Sequence, residues 1–291
     1  MRARDISDLL LLAALWGASF LFMRVAVPQF GPVPLMGLRT GIGAAVLLPF
    51  LFSGGRAGEL IEYAPRIAVV GLINSALPFV LFAYATLHLS AGFAAVLNAT
   101  APCWTAIVAL AWFGERLGPW RTLGLFVGFA GVLVLVWGRL SFAAGGAGLP
   151  IAAALVATLS YGLAANYTRR YMQPVGALAS AAGSQLAAFL VLLPFMVAGW
   201  PLTARDGAAW GCALLLGVLS TGLAYVLFFR LIARIGPSRA IAVTFLIPVF
   251  GMFWGALFLG EQVGARMLVG AATILAGTAL TTGLVGPRRR S

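Results

Sequence analysis

The chain is 291 residues long, 62% hydrophobic and 9% charged, with a mean hydropathy of +1.03. That balance excludes a soluble globular domain with a charged surface and calls for lipid as solvent. The formal charge of +12 comes from 19 basic residues, all Arg, set singly between apolar runs; they form no continuous patch, which argues against a nucleic-acid partner.

Runs of about 18 to 25 apolar residues cross a hydrocarbon core of roughly 30 Å as helices, and the sequence predicts ten. The first, residues 8–27, carries Trp16 and Arg24; nine further runs follow it and it lacks a small-residue cleavage site, so it reads as a span rather than a signal peptide. The second, 33–53, begins near Arg39. The third, 65–87, contains Asn74, Ser75, Phe79 and Tyr84 and ends beside His88. The fourth, 89–113, contains Asn98, Pro102, Cys103 and Trp104 and closes on Gly114-Glu115. The fifth is 119–138. The sixth, 148–170, holds Tyr161, Asn166 and Arg169, and the seventh, 176–198, holds Gln185. The eighth, 207–233, holds Cys212, Ser220, Thr221 and Tyr225. The ninth, 236–260, holds Thr244, Pro248 and Trp254 and closes on Gly260-Glu261; the tenth is 263–285. Pro, Gly and charged residues mark the breaks. Both cysteines fall inside spans, where Cys is a packing residue, and no disulfide is expected.

With the N-terminus in the cytoplasm, that side receives Arg2, Arg4, Arg56, Arg66, Arg116, Arg121, Arg169, Arg170, Arg234, Arg239, Arg288, Arg289 and Arg290. The other side receives Arg139, Arg205 and Arg266. Thirteen against three, under the positive-inside rule, puts both termini inside, as an even number of spans requires.

An internal repeat is visible in the residues. Val46-Leu47-Leu48-Pro49-Phe50 recurs as Val191-Leu192-Leu193-Pro194-Phe195, an offset of 145 that also matches Trp16 with Tyr161, Gly17 with Gly162 and Arg24 with Arg169. From residue 71 the offset is 146, matching Gly71 with Gly217, Phe82 with Phe228, Pro102 with Pro248 and Gly114-Glu115 with Gly260-Glu261. The halves are residues 1–145 and 146–291. Five spans in each means that they enter the membrane in opposite directions, the inverted arrangement of many secondary transporters. The expected fold is all-α, ten transmembrane helices in two inverted five-helix repeats.

Leu15-Trp16-Gly17-Ala18-Ser19-Phe20, the segment from Pro102 to Gly114-Glu115 and the segment from Pro248 to Gly260-Glu261 resemble the drug/metabolite transporter superfamily, and within it the EamA-type exporters. The resemblance covers nearly the whole chain. It is most similar to the YddG-type exporters of aromatic amino acids, and it implies ten helices around a central cavity and export of amino acids, nucleobases or toxic cations from a bacterial inner membrane. In the second half Tyr161-Gly162 replaces the Trp16-Gly17 signature.

A polar side chain at bilayer depth is expensive unless it faces the bundle interior or a wet cavity. The cavity candidates are therefore Trp16, Asn74, Ser75, Phe79, Tyr84, His88, Asn98, Trp104, Tyr161, Asn166, Gln185, Tyr225, Thr244 and Trp254, many of them matched across the repeat near the midplane. Ser and Thr hydroxyls commonly bond back to their own helix; the amides of Asn74 and Asn98 are harder to satisfy locally. Tyr84 and His88 share a helix face, and His88 is the one side chain with an unperturbed pKa near neutrality, about 6.5. Pro102 and Pro248 are expected to bend their helices and free carbonyls. Glu115 and Glu261 are expected at the surface, paired with neighbouring Arg116, Arg121 and Arg266, as loop pins or gates. Arg24 and Arg169 would lie at opposite faces, where alternating gates belong, and Arg24 and Arg39 are expected to snorkel to the outer boundary. No carboxylate lies deep in a span, and there is no phosphate-binding loop, metal-ligand cluster or nucleophile motif. No catalytic residue, cofactor or metal is expected. The partners are the bilayer and a small-molecule substrate, and the function read is alternating-access transport without proton coupling.

Overall fold

Backbone amides have no water to bond in lipid, so a chain of this composition must satisfy them within helices. A computed structural model describes residues 2–143, 145–203 and 205–284; Arg288, Arg289 and Arg290 and the last residue of the tenth expected span lie outside them. Among the described residues, nine helices are long and apolar enough to cross a membrane. They are α1 (Ala3–Phe30), α2 (Pro32–Ser53), α3 (Ala64–His88), α4 (Ala91–Phe113), α5 (Pro119–Val136), α6 (Gly148–Tyr171), α7 (Ala177–Ala198), α8 (Gly207–Ile235) and α10 (Ala265–Thr282). The shorter apolar helix α9 (Val243–Leu259) occupies the ninth expected span, behind the single turn Pro237–Ala240.

The helix ends follow from their sequences. Gly31, at φ 81°, turns α1 into α2, whose first residue is Pro32, where a missing N–H costs nothing. Gly114 and Gly260 end α4 and α9 in the left-handed conformation at φ 65° and 64°, so the two Gly-Glu pairs are helix C-caps. Asp206 caps α8 by accepting the Ala209 N–H at 2.7 Å. α3 and α8 each contain a π-helical segment, Leu72–Ala76 and Val218–Leu223, starting at repeat-matched positions.

α4 is interrupted at Ala99 and Thr100, whose amides reach only three residues back, to Val96 and Leu97. Pro102, the second residue of the resumed helix, has no N–H for the Asn98 carbonyl and its ring excludes that carbonyl. It therefore opens a helical segment rather than bending a continuous one, as the sequence led us to expect. Pro248 does lie inside α9, and the corresponding interruption falls upstream, at Ile241 and Ala242.

The most extensive helix contacts are α5 with α10, α2 with α7, α6 with α3 and α4, and α1 with α8 and α9. Every one joins the first half of the chain to the second, so the main buried cluster draws on both. The α5–α10 seam is built from glycine. Cβ atoms at Gly124, Gly131 and Gly277 would meet backbone at 2.5, 2.6 and 2.2 Å, the last on the amide nitrogen of Gly128. In lipid, where apolar side chains gain little by leaving the solvent, such backbone approach is what holds helices together. Cys103 and Cys212 are both free thiols.

Candidate functional site

A cavity of about 880 Å³ runs through the interior. One end reaches the face that bears Glu115, Leu117, Arg121, Arg169 and Leu284; since α1 starts and α10 ends there, it is called the terminal face. Its deeper wall is aromatic: Trp16, Phe20, Phe79, Phe82, Tyr161 and Tyr225. Phe20 and Phe82 meet edge to face at 5.5 Å, and Phe82 stacks on Tyr161 at 6.2 Å, so the rings fix one another.

Of the sequence candidates, Trp16, Asn74, Phe79, Asn98, Pro102, Tyr161, Asn166, Tyr225 and Thr244 line this cavity, with Glu115 and Arg169 at its mouth. Their polar atoms divide into committed and open ones. Asn166 donates to the carbonyls of Thr105 at 3.0 Å and Gly162 at 2.9 Å, so it ties α6 to α4. Thr244 bonds back to Ile241 at 2.8 Å. The Ser220 hydroxyl reaches across to the Leu15 carbonyl at 2.9 Å. Asn74 faces the Tyr225 hydroxyl.

Six of the fourteen cavity candidates lie elsewhere, and helix geometry gives the reason. Successive residues leave a helix in different directions, so Asn74 faces the cavity while its neighbour Ser75 turns toward α7 and accepts from Gln185 Nε2 at 2.8 Å; neither Ser75 nor Gln185 reaches the cavity. Trp104, two positions past Pro102, points away and meets Phe129 edge to face at 5.1 Å. Trp254 donates its indole N–H to the Ala14 carbonyl at 3.1 Å, joining α9 to α1. Tyr84 and His88 do share a face, with ring centroids 5.5 Å apart, but they sit beyond the closed end of the cavity.

Arg39 is the residue that sequence reasoning misplaced. Instead of snorkelling, it is 6% exposed and lines the cavity. Its guanidinium carbon stands 3.8 Å above the centre of the Phe79 ring, and its Nε donates to Thr221 Oγ1 at 3.0 Å. Thr221 in turn donates to the Leu216 carbonyl five residues back, a spacing that its π-helical segment provides, leaving the hydroxyl oxygen free to accept from Arg39. Arg39 lies about seven residues, or roughly 10 Å, inside α2. A charge at that depth without a neighbouring acid was the available signal.

The far end is closed by two charged residues acting on backbone. Arg24 Nη1 donates to the carbonyls of Thr86 at 2.7 Å and Leu87 at 2.8 Å, at the C-terminus of α3. Glu261 accepts the Ala91 N–H at 2.7 Å and the Gly92 N–H at 3.2 Å, at the N-terminus of α4. Each charge thus meets the helix end of complementary polarity. Arg266, the expected partner of Glu261, instead donates to the Trp137 carbonyl at 3.0 Å. At the terminal face the repeat-matched pair makes no such latch: Arg169 and Glu115 bind each other in the open, and that bond holds the Glu115 carboxyl below its usual range. Among the described residues, no cluster of His, Cys, Asp or Glu could hold a metal.

The EamA-like transporter family profile matches residues 6–137 and 148–283. An uncharacterized transporter of Bacillus subtilis, YoaV, is 25% identical over 271 residues, covering 92% of this chain and 93% of its own. The uncharacterized inner membrane transporter YedA of Escherichia coli is 26% identical, covering 92% and 87%. A probable terminal-alkyne amino-acid exporter of Streptantibioticus cattleyicolor is 28% identical over 294 residues, covering 99% and 96%. A crystal structure 19% identical in sequence superposes with a TM-score of 0.68 over 98% of each chain, a likeness of fold. Helices of membrane-spanning length and a family match across both halves agree: the chain belongs to the EamA-like transporter family of the drug/metabolite transporter superfamily and is a multi-pass membrane transporter, not an enzyme.

Proposed function

We propose that the protein exports small amphipathic metabolites, aromatic and other amino acids among them, across a bacterial inner membrane by alternating access as a facilitator. One observation carries this reading: an aromatic-walled cavity with a few polar groups reaches one face and is latched at the other by Arg24 and Glu261. Rings gain from apolar and edge-to-face contact, while a few polar groups fix orientation. The likeness to a probable amino-acid exporter supports the same substrate class. Toxic cations suit the cavity less well, because Arg39, Arg121 and Arg169 line it against the single carboxylate of Glu115.

In this reading residues 1–145 and 146–291 are inverted repeats, the terminal face is cytoplasmic, and the structure is the state open to the cytoplasm. The two-fold family match and the matched π-helical segments support the repeat. Reporter fusions after Glu59 and after Ser291 should both report the cytoplasm and one after Gly146 the outside. A cytoplasmic signal at Gly146 would remove the inversion.

The coupling has its own test. Proton-driven transport needs a group whose protonation changes as the cavity changes face, and His88 packs on Tyr84 away from the cavity. An imposed pH gradient should therefore fail to concentrate L-phenylalanine in proteoliposomes. His88→Gln should retain more than about half of the downhill flux, since no cavity contact is lost. Uphill uptake that a protonophore abolishes would overturn the facilitator mechanism.

A further inference from the structure

Arg39 is a cation held at bilayer depth without an anion. Its Nε is committed to Thr221 and its flat face to Phe79, but among the described residues neither Nη atom has a hydrogen-bonding partner and no carboxylate pairs with the group. Glu115, the one acid on the cavity wall, is engaged with Arg169 at the terminal face. The groups around Arg39 are the neutral Tyr161 and Tyr225 hydroxyls, with Asn74 beside them. An uncompensated buried charge is costly, and here the chain supplies a rigid mount but no counter-ion. Phe79 and Thr221 fix the plane of the guanidinium and leave its Nη edge toward the cavity. That edge matches the two oxygens of a carboxylate.

We propose that Arg39 is the substrate's carboxylate anchor: the transported molecule carries a carboxylate that completes the Arg39 ion pair, while its apolar body lies among Trp16, Phe20, Phe82 and Tyr161. This rests on the export reading and narrows it. Nothing anionic on the deep wall awaits an ammonium; an amino group there meets only neutral acceptors such as Asn98. The carboxylate thus dominates recognition, and an aromatic acid without an amino group binds nearly as well as the amino acid. Amides and amines lacking the carboxylate leave Arg39 unpaired and bind poorly.

The experiment compares four probes on the purified full chain by calorimetry: L-phenylalanine, 3-phenylpropionate, L-phenylalaninamide and phenethylamine. The two acids should bind within a few-fold of each other, and the two amines on the order of tenfold or more weaker, the ratio that one charge-assisted pair supplies. Arg39→Gln should erase the difference between acids and amines, and Arg39→Lys should restore part of it, since a point charge replaces the fork. The wild-type comparison stands even if Arg39→Gln does not fold. Amines that match the acids, failure of both acids to bind, or acids binding undiminished to folded Arg39→Gln would each overturn the anchor. Acids that bind through Arg39 but are not moved in proteoliposomes would uphold the anchor and sink the export reading.

Discussion

Glu261→Gln should lower phenylalanine flux roughly tenfold and make the cavity reachable from the face that is closed in this structure. The Glu261 carboxylate joins α9 to the first turn of α4 through two amide hydrogen bonds, to Ala91 and Gly92. Hydrogen bonds to an ionised group contribute about 1.5–3 kcal/mol, and a helix N-terminus adds to the preference for negative charge. A neutral amide keeps one acceptor oxygen, loses the charge and brings donors to a site that offers only donors. A loss of about 1.4 kcal/mol or more shifts the balance of the two cavity exposures at least tenfold. The readout is labelling of Ser19→Cys, on the cavity wall, in a background with Cys103 and Cys212 replaced by Ala. An impermeant maleimide applied from the closed face should react about tenfold faster when Glu261 is Gln. Unchanged labelling would mean that the contact is a static cap. Glu115→Gln should disturb this conformation far less, since it removes an exposed ion pair that solvent screens. The latches cannot be chemical copies: the position matched to Ala91 is Pro237, which has no N–H to give.

The second large effect is expected at the α5–α10 seam. Gly277→Leu should abolish or severely reduce recovery of folded protein. A Cβ there would stand 2.2 Å from the Gly128 amide nitrogen and 2.7 Å from the Gly124 carbonyl oxygen, both backbone atoms that can move only with their helix. Overpacking a tight core typically costs about 1–3 kcal/mol, and backbone obstruction puts this substitution at or beyond the upper end. Gly128→Ala is the graded control, because its new methyl meets the Cys103 sulfur at 2.9 Å, a side-chain atom rather than backbone. Size-exclusion recovery and the thermal midpoint of the detergent-purified variants check both. A wild-type midpoint for Gly277→Leu would show that the two helices separate readily.

The positions of the spans were legible because burial in lipid demands long apolar runs and the breaks carry Pro and Gly. Nine of the ten expected spans appear as helices of spanning length, and the ninth appears as a 17-residue helix behind a short turn. The sequence also singled out Trp16, Asn74, Asn98, Tyr161 and Tyr225, because polar and aromatic residues near the middle of a span are expensive to leave in lipid. It could not rank them against Ser75 or Trp104. These lie one or two positions from cavity residues, and the turn between successive helix residues is enough to separate a cavity wall from a packed interface.

The residues alone thus determined the solvent and the approximate places of the apolar segments, since hydropathy and spacing are local properties of the chain. Tertiary structure decided what the charges do. Arg39 and Arg24 are both single arginines near helix ends in the sequence, yet one is pinned under the cavity by Phe79 and Thr221 and the other caps the carbonyls of Thr86 and Leu87. Glu115 and Glu261 occupy matched Gly-Glu caps, yet one holds an exposed arginine and the other two backbone amides of α4. A charge takes its role from the partner that packing brings within about 3 Å, and those partners lie dozens to well over a hundred residues away along the chain, beyond the reach of any local pattern.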